Sequence, residues 1–225
     1  MQTQSAREIA TGTLAQARQA ATIQLLGGVS GLSGALMPFE RDAEIYGESE
    51  QADYVYKVVS GAVRSYKVLN DGRRQINAFY LPGDVFGLEL GAEHSWSAEA
   101  VVDSKILVVR RSVVLTTSQH ENDVARALWS MTAGELRQAQ DHALLLIKSA
   151  QERVASFLLD MARRLAGSTE VKLPMSRQDI ADYLGLTIET VSRTLTQLED
   201  SAAIELLASR RIVLRDQAAL RQLNS

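Results

Sequence analysis

Residues 176–198 read SRQDIADYLGLTIETVSRTLTQL, and the fold of the C-terminal third turns on them. Ile180, Leu184, Leu186, Val191 and Leu195 fall on one shared core if two short helices meet at Gly185. Ala181 is small where those helices would cross, and a bulkier side chain would force them apart. Gly185 stands where the first helix must end in a backbone conformation of positive φ. Ser176 opens that helix, Thr187 caps the second, and Glu189 sits early in it. Spacing and side-chain size together predict a helix-turn-helix. Downstream, Ile204-Glu205-Leu206-Leu207 and Ile212-Val213-Leu214 flank Ala208-Ser209-Arg210-Arg211, the pattern of a two-stranded wing. Upstream, Val154, Phe157, Leu158, Met161 and Leu165 form an amphipathic helix ended by Gly167-Ser168. Residues 150–225 are therefore expected to be a winged helix-turn-helix domain.

In such a domain the N-terminal half of the second helix enters the major groove of double-stranded DNA. Its exposed positions are Ile188, Glu189, Ser192 and Arg193, with Val191 turned inward. Arg193 suits a bidentate contact to guanine, and Glu189 can accept from cytosine N4 or orient Arg193 one turn away. Ser192 can donate, accept or pack on a thymine methyl, while Ile188 offers apolar contact only. The plain alternative for Glu189 and Arg193 is a solvated ion pair of a few tenths of a kcal/mol. Ser176, Arg177, Gln178, Thr187, Thr190 and Thr196 lie where helix starts and short polar side chains meet phosphates. Arg210 and Arg211 at the wing tip are further backbone candidates, with a solubilising hairpin tip as the alternative.

Outward from this domain the pattern changes twice. Residues 118–149 contain one Gly and no Pro, and Leu128, Met131, Leu136, Ala139, Ala143, Leu146 and Ile147 recur at helical spacing. About 30 helical residues would span ~45 Å, too long for one small domain to cover, so a parallel homodimer seam is expected. Two shorter helices packed within one chain are the alternative. Before it, residues 31–117 alternate with period two. Tyr54, Tyr56 and Val58 interleave with Val55, Lys57 and Val59; Ser60-Gly61, Asn70-Asp71-Gly72 and Pro82-Gly83-Asp84 supply breaks. Ala98 to Arg110 adds the later strands. This is the pattern of an antiparallel barrel or jelly roll. Residues 1–30 are Ala/Gln/Thr-rich and read as a frayed segment or short helix. The fold class is α+β.

Composition narrows the function. The chain has 225 residues and no cysteine, which excludes disulfides, thiolate metal sites and thiol switches. Net charge is −3, but 13 Lys/Arg and 17 Asp/Glu lie in residues 1–147 against 11 and 10 in residues 148–225. A nucleic-acid contact therefore belongs to the C-terminal part. No run of about 18 apolar residues marks a membrane span, and the first 25 residues lack the layout of a secretory signal. A cytoplasmic protein is expected.

At these residues the chain resembles the CRP/FNR superfamily of bacterial transcription regulators. KVVSGAVRSYKVLNDGRRQINAFYLPGDVFG is similar to the effector-domain barrel, which is cyclic-nucleotide-binding-like. QDHALLLIKSAQERVASFLLDMA resembles the dimerisation helix, and PMSRQDIADYLGLTIETVSRTLTQLE the DNA-binding block. Glu189, Ser192 and Arg193 match the base-reading pattern of the FixK and FNR subgroups, FixK most closely. Cyclic-AMP-receptor members carry an arginine where Ile188 stands and a glycine where Ser192 stands. The resemblance implies a homodimeric activator that works with RNA polymerase on a palindromic TTGAT-type repeat in microaerobic or anaerobic respiration genes.

The effector domain departs from cyclic-nucleotide binders. Gly87-Leu88-Glu89-Leu90 replaces their Gly-Glu-Leu turn, and Trp96-Ser97 stands where an Arg-Ser pair would hold the phosphate. Without that arginine an anionic ligand lacks its charge-assisted partner. A pocket-filling place is expected for Trp96. FNR-type oxygen sensing needs cysteines that this chain does not have. The implied regulator thus needs no effector and no cofactor, with a haem- or gas-sensing regulator as the alternative. His94, His120 and His142 are its only histidines, each read as a surface or helix-face residue. A jelly-roll metal enzyme is not expected, because only His94 falls in the barrel and no His-x-His spacing occurs.

Overall fold

The computed structural model describes residues 34–165 and 169–223, together with Leu25 and Leu32. The expected N-terminal segment and the Gly167-Ser168 helix end lie outside the described residues. The chain divides into two units: residues up to Asp71 with Asn77–Leu136, and Arg137–Ser225 with Gly72–Ile76.

The first unit is built on an antiparallel sheet. Its strands are β1 (Ala35–Phe39), β2 (Glu44–Tyr46), β3 (Tyr54–Val68), β4 (Arg74–Tyr80), β5 (Val85–Phe86) and β6 (Ser97–Arg110). Their order is β1-β6-β3-β4, with β2 also on β6 and β5 also on β3. The long pair β3 and β6 shifts register between Val58 and Val63. Ser60-Gly61, expected to break the strand, lies instead inside β3 as a bulge: Gly61 has φ +91°, and a Cβ there would overlap the Ser104 side chain and the Asp103 carbonyl. Ser104 Oγ fills the irregularity, accepting from the Ala62 amide at 3.1 Å and donating to the Val102 carbonyl at 2.6 Å.

Both faces of this sheet are covered. Tyr56, Val58, Ile106 and Val108 join Met37, Ile45, Tyr46, Phe86 and Ala98 in one core cluster. Their neighbours Val55, Leu107 and Val109 point the other way, into a cluster with Val85, Val114 and Val124. Each fully buried aliphatic side chain stabilises by ~1.5–3 kcal/mol, so both layers are substantial. Strict alternation of apolar and polar residues is therefore absent from β3 and β6.

Helices begin at once after β6, seven residues before the expected start. Helix α1 (Arg111–His120) stops at Glu121, which has φ −119° and ψ 106°. Helix α2 (Asn122–Leu145) follows, 24 residues and ~36 Å long. The single helix expected over 118–149 is thus broken at Glu121 and again after Leu145.

In the second unit Ser149 and Glu152 form a reciprocal capping box that starts α3 (Ala150–Arg164). Helix α4 (Arg177–Leu184), helix α5 (Ile188–Asp200) and helix α6 (Gln217–Gln222) complete its helices among the described residues. Strands β7 (Glu170–Lys172), β8 (Ile204–Ala208) and β9 (Arg211–Leu214) pair in the order β7-β9-β8. The wing expected as two strands has a third, because Val171 pairs with Ile212 and brings Glu170 to Arg211. Val154, Phe157, Leu158, Met161, Ile180, Leu184, Val191, Leu195 and Leu198 are buried together with Ile204 and Leu214 of the wing.

Candidate nucleic-acid interface

The recognition pair is set by its helix ends. Ser176 Oγ accepts from the Asp179 amide at 3.1 Å, while Asp179 Oδ2 accepts from the Ser176 amide at 2.9 Å. Gly185 closes α4 with φ 62° and ψ 40°, the left-handed conformation the sequence requires there. Thr187 Oγ1 caps α5 by accepting from the Thr190 amide at 3.2 Å. Ala181 and Val191 are wholly buried, so the opposite face of α5 is turned outward.

That outward face carries the four candidate base readers. Glu189 and Arg193 are exposed, Ile188 is 36% exposed, and Ser192 is half-buried. Glu189's own backbone N–H and then the Thr187 side chain hold its carboxyl below the usual range, which keeps it a hydrogen-bond acceptor. Arg193 Nη2 leans to Thr190 Oγ1 at 3.5 Å, rather than to Glu189. The ion pair allowed for by the spacing is therefore not the arrangement adopted. A guanidinium held only at that distance keeps its fork available for a guanine edge.

The candidate phosphate contacts separate by what they already hold. Ser176 and Thr187 are spent as caps. Arg177 Nη1 donates to Ser192 Oγ at 3.2 Å, and exposed Gln178 donates to Asp182 Oδ1 at 2.6 Å. Thr190 lies within 3.1 Å of Thr187 Oγ1, and Thr196 donates to the Ser192 carbonyl at 3.2 Å. At the wing, Arg210 donates to the Pro174 carbonyl at 3.0 Å and Arg211 forms an ion pair with Glu170 at 2.6 Å. Both wing arginines thus have structural partners within the domain, and a phosphate would compete with Glu170 for Arg211.

Sequence reasoning missed Arg153. From α3 it donates through Nε to the Lys148 carbonyl (2.8 Å) and through Nη2 to the Leu146 carbonyl (2.6 Å). Its Nη1 reaches the Leu184 carbonyl (2.9 Å) and the Gly185 carbonyl (3.4 Å). No sequence signal marks such a residue, since all its acceptors are main-chain groups.

The expected dimer stripe is divided. Leu128 and Met131 pack on the second cluster of the sheet, because both of its faces need covering. Leu146 lies beside the recognition turn, where a Cβ on Gly185 would stand 3.4 Å from Leu146 Cδ2. These three residues are at least partly used within the chain. Leu136, Ala139, Ala143 and Ile147 remain exposed, and Trp129 (77% exposed) joins them.

The effector-type domain has an aromatic interior. His94, expected at the surface, is 2% exposed and stacks on Tyr46 with ring centroids 3.6 Å apart. Tyr46 also packs 5.2 Å from Tyr56, which stacks 5.2 Å from Phe86. Neither His94 nitrogen has a hydrogen-bond partner among the described residues, and burial lowers its pKa, which favours the neutral form. His142 is half-buried and packs its ring 4.3 Å from that of Tyr183. Glu89 is committed to Ser95, accepting from its amide and its hydroxyl at 2.9 Å each. Trp96 does not fill the interior. It is half-exposed beneath Lys67, whose Nζ lies 5.2 Å from the ring centroid. Ser97 Oγ accepts from the Glu48 amide at 2.9 Å.

The Crp-like helix-turn-helix domain family matches residues 152–223, and the cyclic nucleotide-binding domain family matches residues 36–121. The nitrogen fixation regulation protein FixK of Azorhizobium caulinodans is 55% identical over 193 residues, covering 83% of this chain and 78% of that one. The chain belongs to the FixK group of the CRP/FNR superfamily. The fumarate and nitrate reduction regulatory protein of Escherichia coli K12 is 31% identical over 193 residues, 83% of this chain and 77% of its own. The solved structure of FixK2 from Bradyrhizobium japonicum matches with a TM-score of 0.84 and 55% identity, over 86% of this chain and 98% of that one. This FixK-type chain is a DNA-binding transcription regulator and not an enzyme. No helix among the described residues is long and apolar enough to cross a membrane.

Proposed function

We propose that this FixK-type regulator binds a TTGAT-type inverted repeat as a homodimer, with no small-molecule effector, and recruits RNA polymerase as an activator in the cytoplasm. The observation that carries the reading is the outward face of α5. It offers Glu189 as an anionic acceptor, Arg193 as a loosely held fork and Ser192 between them, while Ile188 supplies no donor. An arginine at 188 would add a further guanine contact, and its absence argues for an A·T-rich step there.

The dimer reading is supported by an exposed seam on α2 and just past its end. Trp129, Leu136 and Ala143 recur every seven residues, as do Ala133, Gln140 and Ile147, and all six are exposed. Interleaved heptads of this kind are what a two-stranded coiled coil buries. Two recognition helices descending from one such seam meet half-sites one helical turn, ~34 Å, apart. Independence from an effector is supported by the rings of Tyr46, Tyr56, Phe86 and His94, which pack on one another inside the sheet, and by Trp96 standing where a phosphate-binding arginine would be needed. The relatives' names, which speak of nitrogen fixation and of fumarate and nitrate reduction, support target genes for life at low oxygen.

A gel-shift titration of ligand-free protein against TTGAT-type and TGTGA-type repeats tests this. Binding to the first at nanomolar protein, with steep salt dependence, is expected. Binding to the second alone, or only after adding a small molecule, contradicts it.

A further inference from the structure

The turn that follows α2 and the end of α4 converge on one side chain in the first turn of α3. Arg153 uses Nε, Nη1 and Nη2 together, and every acceptor is a main-chain carbonyl. Two of them, Leu146 and Lys148, lie in the turn that links the dimer-seam helix to the DNA-binding helices. The other two belong to Leu184, the last residue of α4, and Gly185, the cap residue that opens the turn to the recognition helix. Carbonyls at a helix C-terminus carry partial negative charge and attract a cation. A planar guanidinium can hold acceptors in several directions at fixed angles, which a lysine ammonium on a flexible stem cannot do.

Side chains pack around this fork: a Cβ on Gly185 would stand in ordinary van der Waals contact with Leu146 Cδ2 at 3.4 Å and Arg153 Nη1 at 3.6 Å. One turn earlier on α2, His142 packs on Tyr183 of α4, and Tyr183 in turn packs 5.9 Å from Phe157 of α3. Apolar and ring contacts resist separation but tolerate sliding. The fork of Arg153 supplies the directional component, because rotating α4 relative to the linking turn would break two or more of its hydrogen bonds at once.

We propose that Arg153 is a positioning residue for DNA recognition. It fixes the angle at which the seam helix delivers the recognition pair, and so sets the half-site spacing that the dimer accepts. The role rests on the reading of this chain as a dimer on an inverted repeat. Each added base pair turns a half-site by roughly 35° about the duplex axis, since one turn is about 10–10.5 bp. A rigid angle therefore rejects a spacing changed by one base pair, whereas a loosened angle tolerates it.

The test uses the full-length chain and a set of duplexes with the same two half-sites, separated by the best spacing or by one base pair more or fewer. Arg153→Lys keeps the charge and loses the fork; Arg153→Gln loses the charge and keeps one planar donor. Thermal melts followed by circular dichroism accompany each titration. The wild type is expected to prefer one spacing at least tenfold. Folded variants are expected to show that ratio reduced fivefold or more, with the salt slope of binding unchanged, and with Arg153→Lys as poor as Arg153→Gln. An unchanged ratio in a folded variant overturns the proposal, as does an equal loss at every spacing, which is what a merely structural role produces. Failure of both variants to fold overturns it as well, by making Arg153 a folding residue. A wild type without any spacing preference instead removes the dimer reading, and this role with it.

Discussion

Arg177 Nη1 donates to Ser192 Oγ across 3.2 Å, joining the first turn of α4 to the exposed face of α5. The serine is therefore an acceptor toward Arg177 and keeps its own O–H to give elsewhere. A base-reading candidate and a phosphate-contact candidate are coupled before DNA arrives.

Ser192→Ala removes both roles of that hydroxyl. Operator affinity is expected to fall by roughly tenfold, in line with the ~1–1.5 kcal/mol carried by such hydrogen bonds. Binding to a scrambled duplex should fall also, because Arg177 loses its partner. Paired gel-shift titrations read both numbers, and a loss confined to the operator argues against the coupling.

Arg193→Ala is expected to cost ~1–3 kcal/mol per half-site and to leave non-specific binding nearly intact. Glu189→Ala is expected to relax discrimination at the neighbouring base pair. Footprinting over single-base operator variants separates the two effects. Wild-type footprints from both variants would mean that another surface reads the bases.

The seam on α2 gives a third outcome. Leu136→Glu places a charge among exposed heptad residues and is expected to shift the chain from dimer to monomer in sedimentation velocity, with little change in its melt. Leu128→Ala, by contrast, removes a partly buried side chain packed on the sheet and is expected to lower the melt with the dimer retained. The opposite pattern would return the seam to the Leu128 and Met131 side of the helix.

Glu135 adds a pH dependence. Burial, helped by the like charges of Glu89 and Asp84, pushes its carboxyl up to about 7. The folded chain then holds this proton more tightly than the unfolded chain does. The stabilisation is complete below the ordinary carboxylate range and is lost as pH rises through about 7. Glu135→Gln is expected to raise the melting temperature at pH 8 by roughly 2–4 °C, the equivalent of ~1 kcal/mol in a chain of this size, with little change at pH 5. An equal shift at both pH values would rule out this carboxyl as the titrating group.

How far the sequence could be read differs from element to element, for physical reasons. The recognition pair was legible because its ends are encoded in side chains: Ser176 caps one helix, Gly185 ends it at positive φ, and Thr187 caps the next. The ends of β3 and β4 were legible through Asn70-Asp71-Gly72 and Pro82-Gly83, whereas Gly61, which reads as a break, lies inside β3 at its register shift, where the chain bulges without turning. The seam was not, since apolar residues lie on two faces of α2 and periodicity alone does not say which face covers the sheet. Leu128 and Met131 go inward, while Trp129 goes out. His94 looked like a surface residue because nothing in its neighbours announces the Tyr46 ring that covers it. Arg153 left no trace because hydrogen bonds to carbonyls place no demand on the residues that supply them.

The central claim is that the ligand-free chain reads a TTGAT-type inverted repeat. Fluorescence anisotropy of the purified protein on that duplex, with and without millimolar cyclic AMP, tests it most directly. Tight binding that is unchanged by the nucleotide, and at least a hundredfold weaker on a TGTGA-type repeat, is the expected result. Binding that appears only with the nucleotide, or that favours the TGTGA-type repeat, would contradict it.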